Sequence, residues 1–282
     1  EDETVMFRQR PLIVESAEGF DFTRADFVVL ATPAAVSLQL ADQALAAGCR
    51  VIDHSSAFAE QASVPFAGMP DAEGADLVAV PMAEVSLLAP LLAALGSEAG
   101  LRTVHATVLL PVSSSGNAGV RELASQTGEL LNGRGIEPVV FPVQIAFNTL
   151  PLVGADREEA VTEGLQQLLG EHVSLVLSSM VVPVFYCLTA QITLETEAPI
   201  LPGAAMDLLA NLDAVEVRNH EENQPVATPI GDAAGQPLIY ISGMRSLPEP
   251  LQGVTFTAVA DNVHQGAARQ VVNLLEKWIK RL

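Results

Sequence analysis

The feature that most constrains the fold is an apolar strand, an amphipathic helix and a second apolar strand that follow one another near the start of the chain. "DFVVLAT" (26–32) has the composition of a buried parallel strand, and "AVSLQLADQALAAG" (35–48) is a helical pattern that ends on a glycine. "CRVIDHSS" (49–56) supplies the next strand. This spacing is that of a βαβ unit, which predicts a doubly wound α/β sheet.

A further strand and helix follow in "ADLVAVPMAEVSLLAPLLAAL" (75–95). The strand covers 75–81 and the helix 84–95, where Pro90 predicts a kink or a late start. Enzymes mount nucleophiles on strand-to-helix turns of this kind. This turn, "VPMAEV", carries no nucleophilic side chain.

After Leu101 the pattern changes to long alternating strands with fewer helices, which predicts an α+β domain with a mixed or antiparallel sheet. The predicted strands are 103–115, 139–148, 173–195, 237–246 and 254–262. The predicted helices are 117–132, 157–170, 204–212 and an amphipathic closing helix over 261–282 with the cationic end Lys277, Lys280 and Arg281.

The stretch 173–194 has no charged residue and is long enough to cross a membrane. Its β-branched residues, the interruption at Pro183 and its alternation favour buried strands instead. The predicted strand face holds Val182, Val184, Tyr186, Leu188, Ala190, Ile192 and Leu194.

Composition excludes several classes of partner and site. The net charge of −20 repels nucleic acid and anionic membrane surfaces. Cys49 and Cys187 form no CxxC pair, and the acidic start has no signal peptide, so we expect a cytoplasmic protein. No metal site is expected, because the histidines never pair at ligand spacing; they are His54, His105, His172, His220 and His264.

Two polar segments are candidates for ligand contacts. "DHSS" (53–56) follows a predicted parallel strand, where open α/β sheets bind ligands, and it is either a ligand-facing loop with His54 as an acid or base, or a polar turn. "VSSSGNAGVREL" (112–123) opens a helix with three serines. Its free N–H groups and hydroxyls suit a phosphate, carboxylate or cofactor amide, or a serine simply caps the helix.

Taken together, these segments resemble the aspartate-semialdehyde dehydrogenase family. "VIDHSSAF" is similar to the family's Val-Ile-Asp-Asn/His-Ser-Ser-Ala-Phe loop, and "VSSSGNAGVREL" to its Ser-Gly-Ala-Gly loop and helix. "AFNTLPLVG" resembles its Phe-Asn-Ile-Ile-Pro segment, and "DNVHQGAARQVVNLL" its Asp-Asn-Leu-x-x-Gly-Ala-Ala closing helix. The matches fall in order over nearly the whole chain.

The resemblance implies a Rossmann-type NADP domain, expected over 1–83 and 250–282, and an α+β substrate and dimerisation domain over 84–249. It also implies a homodimer. In the family mechanism a cysteine thiolate attacks the aldehyde, hydride leaves to the nicotinamide, and phosphate cleaves the thioester with a histidine as acid and base.

Six polar functional positions of the family are occupied by apolar residues in this chain. The resemblance aligns the nucleophile with Ala83 and the general base with Leu188. The other aligned positions are Leu110 for the site glutamine, Ala160 for a lysine, Val181 for the substrate arginine and Ala59 for the phosphate arginine. The pattern resembles Usg-type relatives, which lack the catalytic cysteine.

The family's glycine-rich phosphate turn and its first strand have no counterpart, so the Rossmann-type domain is incomplete at its N-terminus and we expect a longer natural chain. Positions that match cofactor-contacting regions are Ala31, Thr32, Ser113, Ser114 and Asn262. Pro33 and Ala34 replace a Gly-Gly pair and Ser114 replaces a glycine, which works against close approach of the cofactor.

Three hypotheses for function follow. The first is a catalytically silent family member that acts through association or through binding a small molecule. The second is an NADP-dependent oxidoreductase of amino-acid biosynthesis with altered chemistry, using Glu84, His54 or residues 113–115. The third is a non-enzymatic partner of another protein.

Overall fold

The computed structural model describes residues 4–59, 61, 64–67, 69, 71–152, 156–218 and 226–281, apart from the side chains of 265–267. The chain divides into two compact units. The first comprises Glu1–Val80 and Leu274–Leu282, and the second Pro81–Asn273.

The first unit contains a three-stranded parallel sheet in the order β3–β4–β5. The strands are β3 (Phe27–Leu30), β4 (Arg50–Asp53) and β5 (Leu77–Ala79), and helix α1 (Ala34–Ala46) connects the first two. Gly48 follows the helix with φ 88°, a left-handed conformation that glycine adopts at little cost. The predicted βαβ unit is confirmed.

A short hairpin at the start of the first unit was not predicted. Strands β1 (Thr4–Phe7) and β2 (Arg10–Ile13) pair antiparallel, and all eight residues are exposed. The turn residues Arg8 and Gln9 have φ values of 46° and 64°. Sequence patterns for such turns rely on glycine and asparagine, so these residues carry no turn signal.

The tail of the first unit packs around Trp278, which is 1% exposed. Its ring stacks on Phe27 at 5.8 Å between centroids, and the Arg50 guanidinium lies 4.0 Å from the indole centroid. Arg50 also donates to the backbone carbonyl of Glu73, whose carboxylate binds Lys277 at 2.8 Å. These contacts anchor the predicted cationic end of the chain to the sheet of its own unit.

The second unit is an α+β structure with a seven-stranded mixed sheet in the order β10–β11–β12–β9–β6–β8–β7. Its strands are β6 (Leu101–Leu110), β7 (Leu150–Pro151), β8 (Ser174–Val181), β9 (Leu188–Thr196), β10 (Val215–Val217), β11 (Ile239–Ser246) and β12 (Gly253–Ala260). Its helices are α2 (Ala83–Ala99), α3 (Gly116–Leu131), α4 (Asp156–Leu169), α5 (Pro202–Ala210) and, at its end, the start of α6 (Arg269–Ile279).

One face of this sheet is apolar and buried beneath helices. Alternating residues of four strands are at most 3% exposed: Val104, Ala106, Val108 and Leu110; Leu188, Ala190, Ile192 and Leu194; Ile239 and Ile241; Val254, Phe256, Ala258 and Ala260. Leu88, Leu123, Leu165 and Leu209 of the helices α2 to α5 belong to the same hydrophobic cluster. Burial of this face is the main stabilising contribution in the unit.

On β6, β8 and β9 the opposite face is mostly polar and at least partly exposed, whereas on β11 and β12 Tyr240 and Val259 of that face are buried in a second hydrophobic cluster. The register of the opposite face pairs His105 of β6 with Val176 of β8 and with Thr193 of β9. Gln191 donates to Thr255 at 2.9 Å and accepts from Thr257 at 2.9 Å, so side-chain hydrogen bonds link neighbouring strands across this face.

The predicted strand over 139–148 is wrong, because this segment is an irregular loop. Pro142 supplies no N–H to a ladder, and Phe147 has φ 59°, outside the strand region. Of its apolar residues, Phe141 and Ile145 are buried in the main cluster, whereas Val139, Val143 and Phe147 are exposed.

Two buried polar side chains of α3 bind the backbone of this loop. The Glu122 carboxylate accepts from the N–H groups of residues 139–140, and Gln126 Oε1 accepts from those of residues 145–146 at 2.9 and 3.1 Å. Gln126 Nε2 in turn donates to Glu122 Oε1 at 2.8 Å. The loop's buried N–H groups therefore find partners without a neighbouring strand.

Two other predictions need correction. Residues 182–187, predicted as part of one strand face, form an irregular connection between β8 and β9 that contains Pro183, whereas the rest of 173–194 does form strands. Helix α2 begins at Ala83 and continues through Pro90, so a late start is wrong. Among the described helices, none has the length and apolar character needed to cross a membrane.

We expect Glu122→Ala to destabilise the protein by about 1–3 kcal/mol, because it leaves two backbone N–H groups and the Gln126 amide without their acceptor. Glu129→Ala on the exposed part of the same helix is the matched control, expected to change stability by less than about 0.5 kcal/mol. Urea unfolding at equilibrium measures both. Equal stabilities of the two variants would contradict the assigned role of Glu122.

Candidate functional site

The polar turn after β4 is held together by Asp53. Its buried carboxylate accepts from the backbone and hydroxyl of Ser55 and from the N–H of Phe58 at 3.0 Å. His54 is exposed, and Ala59 is half-buried at the end of the same turn. Asp53 therefore has a structural role in the turn, whereas His54 and Ser56 are exposed and accessible to a ligand.

Ala31 and Thr32 follow β3, the strand beside β4. Thr32 Oγ1 lies 2.8 Å from Ser37 Oγ, and Ser37 Oγ donates to the Thr32 carbonyl at 3.2 Å. Pro33 is the N-cap of α1 and has no N–H. The hydroxyl of this turn is engaged within the protein and one backbone donor is missing, so the turn does not fit a closely bound cofactor phosphate.

Ala83, the aligned nucleophile position, is the first residue of α2. Met82 is the N-cap and no side chain caps the helix. Both residues are partly buried and pack against the main hydrophobic cluster of the second unit. At the position that the resemblance aligns with the nucleophile, the strand-to-helix turn thus carries the methyl group of Ala83, beside the thioether of Met82.

Glu84, next to Ala83, is completely buried. Its Oε1 accepts from Arg157 Nε at 2.6 Å, while Oε2 has no partner among the described residues. Arg157 comes from α4, which packs against α2. The sequence offered Glu84 as a reactive group for an altered chemistry; its ion pair with a residue 73 positions away could not be found from spacing.

Ala160, the aligned lysine position, is half-buried on α4 one turn after Arg157. The only cation that the described residues bring beside Glu84 is therefore Arg157, and its Nε is already bound to that carboxylate. A buried pair of this kind is costly to break, because either partner alone would be an uncompensated charge.

Leu110, Val181 and Leu188 lie together at one end of the seven-stranded sheet. Leu110 pairs with Val181 across β6 and β8, and Leu109 pairs with Thr189 beside Leu188 on β9. The three side chains are 1%, 6% and 1% exposed and belong to the same hydrophobic cluster. The structure thus brings these three predicted positions together, as core residues.

The serine segment after β6 is a short 3-10 turn, Val112–Ser115, that binds the connection between β8 and β9. Val112 N and Ser113 N donate to the carbonyls of residues 184 and 185 at 2.9 and 3.2 Å. Gly119 of α3 allows close packing of the segment, since a β-carbon there would lie 2.3 Å from the Val112 carbonyl oxygen.

Asn262 joins this segment to the same connection. Its Nδ2 donates to Ser113 Oγ at 3.1 Å, and its Oδ1 accepts from the Cys187 N–H at 3.0 Å. Two predicted cofactor positions are therefore in direct contact, and the polar atoms of Asn262 are already hydrogen-bonded within the protein.

The N-terminus of α3, unlike Asn262, has polar groups that are not engaged by side-chain hydrogen bonds. Its N-cap, Ser115, makes no capping hydrogen bond, and Gly116 has φ 69° with open space where a β-carbon would project. Ser114 is half-buried beside it. Free N–H groups and a hydroxyl at the start of a long helix suit an anion or an amide oxygen, so this part does fit a cofactor group.

Neither cysteine has the environment of a nucleophile. Burial, and secondarily the charge of Asp261, raises the pKa of Cys187 to about 12. Burial likewise raises the pKa of the Cys49 thiol, which donates to the Phe22 and Ala25 carbonyls at 3.1 and 3.0 Å. Both thiols are small buried groups, as their sequence context predicts.

Asp261 caps the segment that leads into α6. Burial disfavours its charged form, but hydrogen bonds from the backbone N–H groups of His264, Gly235 and Val263 outweigh that effect and hold the pKa of Asp261 below its ordinary value. Over the described ranges, no group of three His, Cys, Asp or Glu side chains could hold a metal ion. His220 lies outside the described residues.

Comparison with known proteins assigns both parts of the chain. Residues 2–82 match the semialdehyde dehydrogenase NAD binding domain, and residues 88–265 the semialdehyde dehydrogenase dimerisation domain. A USG-1 protein homolog of Azotobacter vinelandii is 35% identical, with 99% of this chain and 86% of the relative covered.

Two solved structures have the same fold. Aspartate semialdehyde dehydrogenase II of Vibrio cholerae, complexed with ASA, is similar with TM-score 0.93 and 27% identity, covering 99% of this chain and 87% of that one. A probable aspartate-semialdehyde dehydrogenase of Pseudomonas aeruginosa has TM-score 0.87 and 33% identity at the same coverages. The chain therefore belongs to the aspartate-semialdehyde dehydrogenase family.

Proposed function

We propose that this chain is a catalytically silent member of its family that acts through association or small-molecule binding. The observation that carries the proposal is the packing of Leu110, Val181 and Leu188 into the main hydrophobic cluster, with Ala83 against it. Apolar side chains at these positions supply no thiolate, no base and no cation for a carboxylate or phosphate.

The described polar groups near Ala83 do not replace the missing chemistry. Glu84 is buried and bound to Arg157, so its carboxylate has no access to a substrate. A general base must come within hydrogen-bond reach of the proton that it removes. These contacts favour a silent protein over an oxidoreductase with altered chemistry.

Cofactor binding is a separate part of the proposal. The open N-terminus of α3 with Ser114 supports contact with an NADP amide or phosphate, whereas the internal hydrogen bonds of Thr32 and Asn262 oppose it. When bound, NADP would accept a hydride. In this chain the residues beside it would bind and orient the cofactor without delivering a substrate.

Association is supported by the polar, exposed face of the seven-stranded sheet. A chain with a net charge of −20 repels its own copies, so a self-association surface needs few charges. The residues of this face on β6, β8 and β9 are neutral apart from His105 and Glu195: Thr103, Thr107, Ser174, Val176, Ser178, Gln191 and Thr193. We infer a homodimer through this face.

We expect no phosphate-dependent NADPH formation from aspartate semialdehyde above the rate in buffer, because the covalent route requires a thiolate and a base. Ala83→Cys alone should remain inactive, since Leu110, Val181 and Leu188 are unchanged. Absorbance at the NADPH band measures turnover, and a calorimetric titration with NADPH measures cofactor binding separately. Turnover proportional to protein concentration, in protein purified from a host without the dehydrogenase, would overturn the proposal.

Both thiols should be unreactive in the folded protein. With a pKa of about 12, Cys187 has about one thiolate in ten thousand molecules at pH 8, and that fraction rises about tenfold for each unit of higher pH. Reaction with a chromogenic disulfide at pH 8 should release less than one equivalent in native buffer and two in denaturant. Rapid reaction of a thiol in the folded protein would argue against the proposal that the protein is catalytically silent.

Val176→Glu should weaken the dimer at least about tenfold, because it adds a carboxylate to the centre of a neutral contact. Leu131→Glu, at a site that is 75% exposed on α3, is the control and should leave the dimer unchanged. Sedimentation equilibrium measures both, with thermal unfolding to verify that each variant is folded. If the Val176→Glu variant has the same dimer dissociation constant as the unsubstituted protein, this face is not the interface.

A further inference from the structure

A groove lies at the opposite end of the seven-stranded sheet from Leu110, Val181 and Leu188. It has a volume of about 230 Å³ and is lined by Arg102 at the start of β6, by residues 195–197 at the end of β9 and by residues 250–252 before β12. This volume is below the range of sites for drug-sized molecules, so the groove suits a ligand of amino-acid size.

The groove contains charges of both signs that do not neutralise one another. Arg102, Glu195 and Glu197 all line it, yet within the described ranges none of the three forms an ion pair. Opposite charges that face one cavity without pairing leave their interactions available to a ligand.

The frame around these charges is well ordered by backbone hydrogen bonds. Thr196 N donates to the Gln252 carbonyl at 3.1 Å, and Glu197 N donates to the Gly100 carbonyl at 3.2 Å. Gly100 has φ 66°, and a β-carbon there would lie 2.8 Å from Glu197 Oε2. The Glu197 carboxylate thus lies directly over a glycine, which limits where the charge can point.

We propose that this groove binds a small diamino acid. Two ammonium groups and one carboxylate complement the two glutamates and the single arginine. Pro250 and the 46% exposed Leu251 provide an apolar wall for a methylene stem. This inference does not rest on the catalytic silence of the chain, because the groove shares no residue with the positions aligned to the family's active site; with the face proposed for the homodimer it shares Glu195, near the end of β9.

Isothermal titration calorimetry of the full chain with L-lysine tests the proposal. Exposed ion pairs are individually weak, so we expect a dissociation constant on the order of a millimolar. L-norleucine, which lacks the second ammonium, and cadaverine, which lacks the carboxylate, should each bind at least about tenfold more weakly.

Substitutions of the charged groove residues test whether L-lysine binds in the groove. Arg102→Gln should reduce the affinity for L-lysine to that for cadaverine, and Glu197→Gln to that for L-norleucine. Arg121→Gln and Glu163→Gln, at exposed helix positions outside the groove, should leave it unchanged. Equal affinities for L-lysine and L-norleucine, the absence of binding heat at about 10 mM L-lysine, or unaltered binding by Arg102→Gln would each overturn the proposal.

Discussion

Burial of one face of the seven-stranded sheet is the constraint on which the second unit depends. Alternation along β6 and β9 sends every second side chain into a single hydrophobic cluster beneath the helices α2 to α5, and Val254, Phe256, Ala258 and Ala260 of β12 join it. Because side chains on a strand alternate with period two, the same alternation makes the opposite face polar. Core formation and the face proposed for association are therefore two results of one pattern.

The same cluster explains why the residues aligned with the family's active site are buried in the hydrophobic core. Leu110, Val181 and Leu188 are at the ends of strands that already carry an apolar face, so each replacement extends the cluster without disturbing the register. Polar groups at these positions would need hydrogen-bonding partners in a buried setting. The apolar set therefore favours packing, which supports the proposal of a catalytically silent protein.

Buried polar side chains stabilise the loops by accepting hydrogen bonds from their backbone N–H groups. Asp53 closes the turn after β4, Asp261 caps the segment before α6, and Glu122 with Gln126 binds the loop over 139–146. In each case backbone N–H groups outside a sheet obtain an acceptor. The ordered loops bring Ser113, Asn262 and Cys187 together, so the polar atoms of Asn262 are hydrogen-bonded within the protein.

The sequence by itself determined the βαβ unit, the α+β character of the second unit and the family, because these depend on local periodicity and on short motifs. The alignment of Ala83, Leu110, Val181 and Leu188 with the family's active site stays a prediction from the resemblance. Tertiary structure alone decided that 139–148 is a loop and that Glu84 pairs with Arg157, since the partners lie on other elements. It likewise decided that Leu110, Val181 and Leu188 form one buried cluster, because strand register brings together residues that are distant along the chain.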